Sequence, residues 1–584
     1  MSERVMTWKI GGIGGYGLQT ASSLLSKTLL RMGFAVHSYD EFPSVIKGGH
    51  ATSQVSVSLD SLRSLRRSVA MLVCLNEASI AEHVSELQPN GWLIYDSDVV
   101  ERPPAVRADI TVFAVPLTRL TQDIAAEKLM RNVVAIGITL GLLDYPTDLA
   151  KSILTDEYAR KGDAVVAMNH QAVETGAAYA RQHQPAVFPF RLQRPTRPPQ
   201  RMVITGNDAL SIGAIAAGCR FYAAYPMTPA SSILMYLIQH GPAKGMVVRQ
   251  LQDEIAVINE GLGASHAGVR AMVGTSGGGF SLMVEALGLS GITETPLVIV
   301  NAQRPGPATG MPTWTEQADL RFVLHAAQGE FPRVVLAPGD PEECFRIMPV
   351  AFNLAERYQL PVIVLTDKLL AESGVTVPVF SQRGIVIDRG ELITQGNMKN
   401  RDRLFARYAL TKSGVSPRPL LGIAGHAFMA NSDEHDVTGL SNEDAAVRLE
   451  QQGKRLRKLV GVLKDLPDPI LYGPKNAELT VLAWGSTKPA VLDAIDLLAA
   501  DGLKVNLIHS IALWPFPARA MINGLSRANR LVLVEGNATG QFGGLIREHT
   551  GIDIDDRILK FDGRPFEATE LAEEFRRRLP RRTR

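Results

Sequence analysis

The stretch YPMTPAS, residues 225–231, places a threonine hydroxyl where it could contact a ligand. Pro226 and Pro229 restrict the backbone on either side of Thr228, because a proline fixes its own φ, lacks an N–H and limits the preceding residue. The stretch follows the apolar run FYAA, so Thr228 is predicted to lie at the end of a buried strand. Two interpretations fit: the hydroxyl contacts a substrate, or it caps a helix that begins near Ala230.

Two adjacent carboxylates open a helix farther along the chain. Asp253 and Glu254 precede an apolar segment that is predicted to be helical over 254–267. An acidic side chain in the first turn complements the helix dipole, which is worth about 0.3 to 1 kcal/mol. One of the two carboxylates is therefore expected to serve the helix, which leaves the other available for chemistry.

A cationic loop and a glycine-rich turn follow two other strand-like runs. The turn TSGGG spans 275–279, and the loop RPGPATGMPT spans 304–313. Arg304 can offer a two-pronged hydrogen-bond contact to a carboxylate; the structural alternative is a salt bridge that holds the loop. Thr313 could support such a ligand or cap a helix predicted over 315–324.

These groups belong to a series of apolar runs of the kind that form a buried parallel sheet. The runs are continuous rather than alternating, as strands covered on both faces require. They are RMVITG, FYAAYPMT, GMVVRQ, RAMVGTS, PLVIVNAQ, RVVLAP and PVIVLTD. Because ligands bind outside the carboxyl ends of parallel strands, the polar groups that follow these runs are predicted to converge at one sheet edge.

A separate glycine cluster lies near the N-terminus. GIGGYG, 12–17, follows a short strand and opens a helix, and Asp40 lies 23 residues beyond Gly17. This spacing matches much of a dinucleotide-binding fingerprint, so an NAD-dependent dehydrogenase is one hypothesis and a ligand-free tight turn is another. Lys47 and Gly48 form a second basic, glycine-rich loop that suits a further anionic group.

Composition narrows the class of protein. The 584 residues include 61 basic and 59 acidic ones, a net charge of +2, which argues against a general nucleic-acid or membrane-surface role. The three cysteines, Cys74, Cys219 and Cys344, are too few for an iron–sulfur cluster held by this chain alone. The start lacks an apolar signal-peptide core, and no uncharged run reaches the roughly 18 to 20 residues of a membrane span. These features predict a soluble, cytoplasmic protein.

The alternation of strand-like and helical patterns predicts three consecutive α/β domains with mainly parallel sheets. The first domain is predicted over 1–185, followed by a proline-rich linker over 186–200. A second domain over 201–375, a connecting segment over 376–470 and a third domain over 471–584 complete the chain.

Four segments, in order, resemble the α subunit of 2-oxoacid:ferredoxin oxidoreductases. They are YPMTPAS, QLQDEIAVINEGLGASHAG, GTSGGGFSLMVEALGLSG and NAQRPGPATGMPTWTEQADL. GIGGYG and KGGHATSQVSVS are similar to the γ domain of that family, fused here ahead of α. The resemblance covers essentially the whole chain and implies a γ domain, a thiamine pyrimidine-binding domain and a transketolase C-terminal-like domain.

The resemblance also implies roles for individual residues. Glu254 would hydrogen-bond the aminopyrimidine ring of thiamine diphosphate and favour its imino tautomer, with Tyr225 and Pro226 on the pyrimidine side of the site. Thr228 and Arg304 would hold the 2-oxoacid, and Thr313 would support them. The glycine loops would contact coenzyme A phosphates through a set of five residues: Gly14, Gly15, Gly17, Lys47 and Gly48.

A partner is implied as well, because the chain lacks the Gly-Asp-Gly motif of a diphosphate–magnesium loop and any CxxC cluster. A β subunit would bring the diphosphate pocket, Mg²⁺ and a [4Fe–4S] cluster, in an (αβ)₂ heterotetramer that reduces ferredoxin.

The activity implied is CoA-dependent oxidative decarboxylation of a 2-oxoacid, with the carboxylating direction left open. The fused γα layout favours 2-oxoglutarate, with conversion to succinyl-CoA, while pyruvate and branched-chain or aryl 2-oxoacids remain alternatives. Two other classes of protein remain as alternatives: a nicotinamide-dependent dehydrogenase and a non-catalytic scaffold.

Overall fold

The computed structural model describes residues 5–45, 48–102, 105–124, 130–396 and 403–579. The strands are β1 Val5–Ile13, β2 Ala35–Glu41, β3 His50–Ser58, β4 Val69–Cys74, β5 Leu87–Asp96, β6 Thr111–Val115, β7 Arg201–Ile204, β8 Phe221–Ala224, β9 Val247–Gln250, β10 Ala271–Thr275, β11 Leu297–Gln303, β12 Val334–Leu336, β13 Pro361–Asp367, β14 Gly374–Pro378, β15 Leu392–Ile393, β16 Arg418–Pro419, β17 Ile470–Tyr472, β18 Leu479–Trp484, β19 Val505–Ser510, β20 Ala512–Trp514, β21 Leu531–Glu535 and β22 Arg557–Leu559.

The helices are α1 Leu18–Arg31, α2 Glu77–His83, α3 Leu117–Asp123, α4 Arg131–Leu142, α5 Asp148–Tyr158, α6 Asp163–His183, α7 Gly206–Ala216, α8 Ser231–His240, α9 Glu254–His266, α10 Gly277–Ile292, α11 Leu320–His325, α12 Pro341–Tyr358, α13 Lys368–Glu372, α14 Ala445–Asp465, α15 Thr487–Ala500, α16 Ala518–Leu525, α17 Gln541–Thr550 and α18 Ala568–Arg578. No helix of the described ranges is long and apolar enough to cross a membrane.

These elements form two compact units. The first comprises Met1–Ile204, Ser373–Val379 and Glu567–Thr569, and the second comprises Thr205–Glu372, Phe380–Phe566 and Glu570–Arg584. The prediction of an α/β fold with mainly parallel sheets is confirmed.

The first unit is built on an eight-stranded sheet of order β6-β5-β4-β1-β3-β2-β14-β7. The pairs from β6 to β1 are parallel, whereas those from β1 to β7 are antiparallel. This sheet is therefore mixed rather than mainly parallel. Only eight residues connect β2 to β3, which is too few for the crossover that a parallel pair needs.

The proline-rich segment after α6 packs against the first unit. Phe188 belongs to its hydrophobic core, together with Trp8 and Trp92. The Tyr145 hydroxyl donates a hydrogen bond to the Leu192 carbonyl at 2.6 Å. The segment has no regular secondary structure, as its proline content predicts, but Phe190 and Leu192 also pack against this core.

The second unit contains two larger sheets. One has seven strands in the order β20-β12-β13-β11-β10-β8-β9, parallel except for β20, and the other has five strands in the order β17-β19-β18-β21-β22, parallel except for β17. The predicted run RMVITG forms β7 and pairs in the first unit's sheet, through β14. An apolar run predicts a strand but does not identify its sheet.

Candidate active site

The polar segments of the second unit follow four neighbouring parallel strands. The strand order β9-β8-β10-β11 brings the carboxyl ends of these strands side by side. Ala224 pairs with both Gln250 and Gly274, and Thr275 pairs with Asn301. The predicted convergence at one sheet edge is therefore what the topology produces.

Glu254 lies buried at this edge, in the first turn of α9. Its neighbour Asp253 is the N-cap and accepts a hydrogen bond from the Ala256 amide at 2.8 Å. As the sequence predicts, one carboxylate, that of Asp253, caps the helix, and the other, that of Glu254, has no capping role. Glu254 is only 2% exposed, and its Oε1 has no hydrogen-bond partner in the described part of the chain.

The environment of Glu254 favours its protonated form. Burial raises the pKa of this carboxyl and the nearby Asp253 adds to the rise, while its own backbone amide, the Thr275 hydroxyl and Arg304 oppose it. The Thr275 hydroxyl is not placed for a regular hydrogen bond to Oε1. A buried carboxylic acid of this kind can donate a hydrogen bond to a ligand.

Gly279 leaves space beside this carboxyl. A Cβ built on Gly279 would overlap both Glu254 Oε1 and Thr275 Oγ1. A Cβ at Gly277 would overlap the carboxylate of Asp319. These two glycines of the TSGGG turn therefore let polar groups approach the N-terminus of α10 closely.

Arg304 lies at the end of β11 and reaches the proline-flanked segment. Its Nη1 donates a hydrogen bond to the Thr228 carbonyl at 2.8 Å. Burial lowers the pKa of Arg304, while the charges of Asp319 and Glu254 oppose this shift. The structure thus brings together three of the four predicted catalytic residues: Thr228, Glu254 and Arg304.

Asp319 is a member of the site that sequence reasoning missed. It accepts a hydrogen bond from Asn301 Nδ2 at 3.0 Å, and its backbone amide donates to Gln303 Oε1 at 2.9 Å. Burial raises the pKa of Asp319, and the hydrogen bond from Asn301 and the charge of Arg304 oppose the rise. No local pattern marks this residue, because its partners lie on β11, 16 to 18 residues away in sequence.

The alternative capping roles of the two threonines are wrong. Helix α8 has Ala230 as its N-cap, and α11 begins at Leu320 with Asp319 as its N-cap. Thr313 is buried, 4% exposed, within the loop that follows Arg304. Tyr225 is 39% exposed at the end of β8, and Pro226 beside it is exposed as well.

The first unit brings the two glycine loops together. The Gly14 amide donates to the Gly49 carbonyl at 3.1 Å, and the Gly48 amide donates to the Gly14 carbonyl at 3.2 Å. These two amides are thereby used within the protein. Gly15 and Gly17 have φ values of 84° and 82°, a left-handed conformation that glycine adopts readily. Lys47 lies outside the described residues.

The sheet order weighs against dinucleotide binding at these loops. In a dinucleotide-binding fold the strand that ends in the acidic residue is the parallel neighbour of β1. Here β3 lies antiparallel between β1 and β2, so Asp40 is one strand farther away.

Comparisons with known proteins agree with this fold. Three families match in order: "Pyruvate ferredoxin/flavodoxin oxidoreductase" at residues 7–179, "Pyruvate flavodoxin/ferredoxin oxidoreductase, thiamine diP-bdg" at 212–454 and "Transketolase, C-terminal domain" at 471–573.

Relatives of known name match over long stretches. The 2-oxoacid:ferredoxin oxidoreductase subunit alpha of Saccharolobus solfataricus is 32% identical over 97% of each chain. The 2-oxoglutarate synthase subunit KorA of Methanothermobacter thermautotrophicus is 33% identical over 62% of this chain and 94% of its own.

A solved structure is also similar, that of 2-oxoglutarate:ferredoxin oxidoreductase from Magnetococcus marinus with 2-oxoglutarate, coenzyme A and succinyl-CoA bound. Its TM-score is 0.90, with 31% identity over 98% of this chain and 99% of that chain.

The α/β fold and these matches define the protein as an oxidoreductase that acts on 2-oxoacids. The chain belongs to the 2-oxoacid:ferredoxin oxidoreductase family, as an α subunit.

Proposed function

We propose that this chain supplies the pyrimidine side of a thiamine diphosphate site and the residues that bind a 2-oxoacid. With a partner subunit it catalyses the CoA-dependent oxidative decarboxylation of 2-oxoglutarate and reduces ferredoxin, and the reaction can run in the carboxylating direction. The observation that carries this proposal is Glu254, a buried carboxyl at the sheet edge whose Oε1 has no partner among the described residues.

The residues present suit the thiamine cofactor. Glu254 would hydrogen-bond a nitrogen of the aminopyrimidine ring, and the burial that raises the pKa of this carboxyl would strengthen its hold on the shared proton. The absence of a side chain at Gly279 avoids a clash with that carboxyl, and the exposed Tyr225 and Pro226 would flank the ring. When bound, the cofactor supplies the carbanion chemistry, and the protein orients and tunes it.

Arg304, Thr228 and Thr313 would bind and orient the 2-oxoacid. One N–H group of Arg304 donates to the Thr228 carbonyl. The remaining N–H groups of its guanidinium can bind a carboxylate in the two-pronged geometry that arginine favours. That hydrogen bond also fixes the backbone at Thr228, whose hydroxyl would contact the substrate carbonyl. Thr313, buried in the same loop, would support Arg304.

Similarity supports 2-oxoglutarate as the substrate, since the Magnetococcus structure and the KorA relative both carry its name. Pyruvate and branched-chain or aryl 2-oxoacids are the alternatives. Coenzyme A would bind at the glycine loops of the first unit. Gly15 and Gly17 are the better candidates for its phosphates. The amides of Gly14 and Gly48 already donate hydrogen bonds to carbonyl groups within the two loops.

A β subunit would complete the site in an (αβ)₂ heterotetramer. It would hold the cofactor diphosphate with Mg²⁺ and carry the [4Fe–4S] cluster that passes electrons to ferredoxin, because this chain has only three cysteines. We place this assembly in the cytoplasm. We also retain the domain limits 1–185, 201–375 and 471–584, with the linker and connecting segment between them, as part of the proposal.

The test is to co-express the chain with a β-type subunit from the same organism and to assay CoA-dependent reduction of a low-potential dye. Glu254→Ala should reduce turnover by about 10²- to 10⁴-fold, the range for loss of a group that moves a proton in the reaction, while the complex still assembles. Glu260→Ala, on the same helix with a 39% exposed side chain, is the matched control. Equal rates for the two variants would refute the role of Glu254.

A panel of 2-oxoacids on the same preparation tests the substrate. We expect the highest kcat/KM with 2-oxoglutarate; a higher value with pyruvate or a branched-chain acid would correct the substrate and leave the site assignment intact. Dye reduction by the isolated chain would contradict the need for a partner.

A further inference from the structure

Two histidines and a glutamate converge in the first unit, on elements that the proposed reaction does not use. His50 begins β3, and Glu82 and His83 end α2. Their nearest ligand atoms all lie within 4.8 Å of one another. The His50 and His83 Nε2 atoms are 2.7 Å apart, and His50 Nε2 is 3.6 Å from Glu82 Oε2.

A carboxylate orients His83 within this cluster. His83 Nδ1 donates a hydrogen bond to Glu86 Oε1 at 2.8 Å, and Glu86 Oε2 accepts one from Lys9 Nζ at 2.5 Å. This leaves the Nε2 lone pair of a neutral His83 directed at His50. Metal-binding histidines are characteristically held by a carboxylate on their other nitrogen in this way.

Charged groups of both signs lie around the cluster. Lys9 is the basic group that faces it, and Glu86 pairs with that charge. Glu41 and Glu82 add negative potential at His50. His83 also ends its helix, where the dipole favours positive charge.

The backbone leaves room for the rings to adjust. A Cβ at Gly11 would lie 2.7 Å from Ser79 Cβ and 3.5 Å from His50 Cε1, so glycine there lets α2 and His50 approach β1. His50 Nδ1 has no hydrogen-bond partner in the described ranges, so nothing fixes that side of the ring. Two nitrogens on one tetrahedral zinc lie roughly 3.3 Å apart, given Zn–N distances of about 2.0–2.1 Å. To bind the ion, the two Nε2 atoms would move apart by about 0.6 Å, both rings would turn so that their lone pairs meet at it, and the exposed Glu82 side chain would swing toward it.

We propose that His50, His83 and Glu82 bind a divalent transition-metal ion of the Zn²⁺ type, with Glu86 as the positioning residue of His83. Two imidazole nitrogens and one carboxylate oxygen form a set that zinc accepts, with its fourth position open to water. This inference is independent of the proposed function.

The site also has a structural consequence. His50 directly follows Gly49, whose carbonyl accepts the Gly14 amide, and pairs with Ile13 across β1 and β3. A metal at His50 would therefore hold the second glycine loop against the first one.

The experiment measures metal on the tag-free full chain. After dialysis against Zn²⁺ and removal of free metal, elemental analysis should find about one zinc per chain, as one three-ligand site predicts. Co²⁺ as a spectroscopic probe should give the visible bands of a low-symmetry, tetrahedral-like site. His50→Ala and His83→Ala should abolish stoichiometric binding, and Glu86→Gln should weaken the affinity by about 10- to 100-fold.

Two variants separate ligation from folding. Glu82→Gln replaces a side chain that is 54% exposed, so it should fold normally and still bind zinc more weakly. His170→Ala removes a histidine that contacts Lys151 and Thr155 instead and should bind like the wild type. Zinc that is substoichiometric in the wild type, or equal in the wild type and His83→Ala, would show a hydrogen-bonded histidine pair without metal and overturn the proposal.

Discussion

At the scale of single residues, the site depends on charges that are placed before any ligand arrives. Arg304 is attracted by Asp319 and Glu254, yet no carboxylate of the described residues lies within ion-pair distance of it. Its side chain instead donates a hydrogen bond to the Thr228 carbonyl. A guanidinium held by a neutral acceptor keeps its charge available for an anionic substrate.

Gly279 provides a sharp test of this arrangement. Gly279→Ala should push Glu254 and Thr275 apart, because the new Cβ would overlap Oε1 and Oγ1. Misplacing a catalytic group by about 1 Å can cost on the order of 100-fold in rate, and we expect a loss of that size in kcat. Gly288→Ala on the same helix, where the nearest atom to the new Cβ is 3.8 Å away, is the control in the dye-reduction assay. Wild-type kcat in Gly279→Ala would contradict the crowding argument.

The buried Glu254 should also make stability depend on pH. Because its pKa is raised in the folded chain, the unfolded chain loses this proton at lower pH, and stability falls as pH rises through the window between the two values. Glu254→Gln removes the ionisation. Its thermal midpoint relative to wild type should therefore increase as pH rises above the ordinary pKa of a glutamate.

Scanning fluorimetry of the assembled complex measures this difference. Glu260→Gln, whose side chain is exposed, should show a flat difference across the same range. A flat curve for Glu254→Gln would mean that the carboxyl is ionised and solvated in the native protein.

Residue types at strand ends were enough to predict that three candidate residues lie at one sheet edge. Thr228, Glu254 and Arg304 each follow an apolar run. Because these runs form parallel strands of one sheet, the residues that follow them lie at the same sheet edge. Asp319 and Gly279 could not be found in this way. Asp319 acts through Asn301 and Gln303, and the need for glycine at 279 appears only when the Glu254 side chain is in place.

At the scale of elements, α14 shows what hydrophobic periodicity misses. The helix is polar, yet it buries Gln451, Lys454, Arg455 and Lys458. Lys454 Nζ lies 2.5 Å from Glu294 Oε1, Lys458 pairs with Glu294 Oε2, and all three side chains are fully buried. A charge pattern of this kind is typical of a solvated helix, so the sequence alone suggests an exposed surface.

Glu294 should therefore be essential for docking α14. Burial opposes ionisation of Glu294, but Lys458 and Lys454 outweigh it and hold the pKa well below its usual range. Glu294→Gln would leave two buried amines without a carboxylate, and breaking a buried ion pair costs about 3 to 5 kcal/mol. We expect a lower thermal midpoint by scanning calorimetry, whereas Glu450→Gln on the exposed face of α14 should leave it unchanged.

The pH dependence gives a second check on the same variant. Burial lowers the pKa of Lys454 to about 7 and that of Lys458 to about 8, even against the attraction of Glu294. Without the carboxylate, the folded chain should bind still fewer protons than the unfolded chain. The deficit of Glu294→Gln should thus shrink as pH rises; a deficit that grows with pH would place the lysines in solvent.

The first sheet marks another limit of prediction at this scale. Every strand-like run before residue 120 forms a strand, but strand direction depends on the connections. The short loop between β2 and β3 makes that pair antiparallel, and β7 and β14 extend the sheet from far along the chain. Apolar runs predict the strands, whereas pairing depends on the tertiary contacts of the chain.

At the scale of the whole molecule, the three cysteine thiols bear on the proposed electron path. The three cysteines, one in the first unit and two in the second, are buried and unbridged. Burial raises the pKa of Cys219 to about 12 and raises those of Cys74 and Cys344 as well. None is therefore a reactive thiolate, and three thiols are one fewer than a [4Fe–4S] cluster usually requires.

We expect the native chain to react with none of its thiols when treated with a disulfide reagent at pH 8, and to react with all three after unfolding in guanidinium. Burial of each sulfur, with a raised pKa, makes native thiolate scarce. The measurement is the absorbance of the released thiol, with the unfolded chain as the internal control. Rapid modification of the native chain would show an exposed cysteine. The proposed electron path through a partner's cluster would then depend only on the number of cysteines in this chain, which is too small for a [4Fe–4S] cluster.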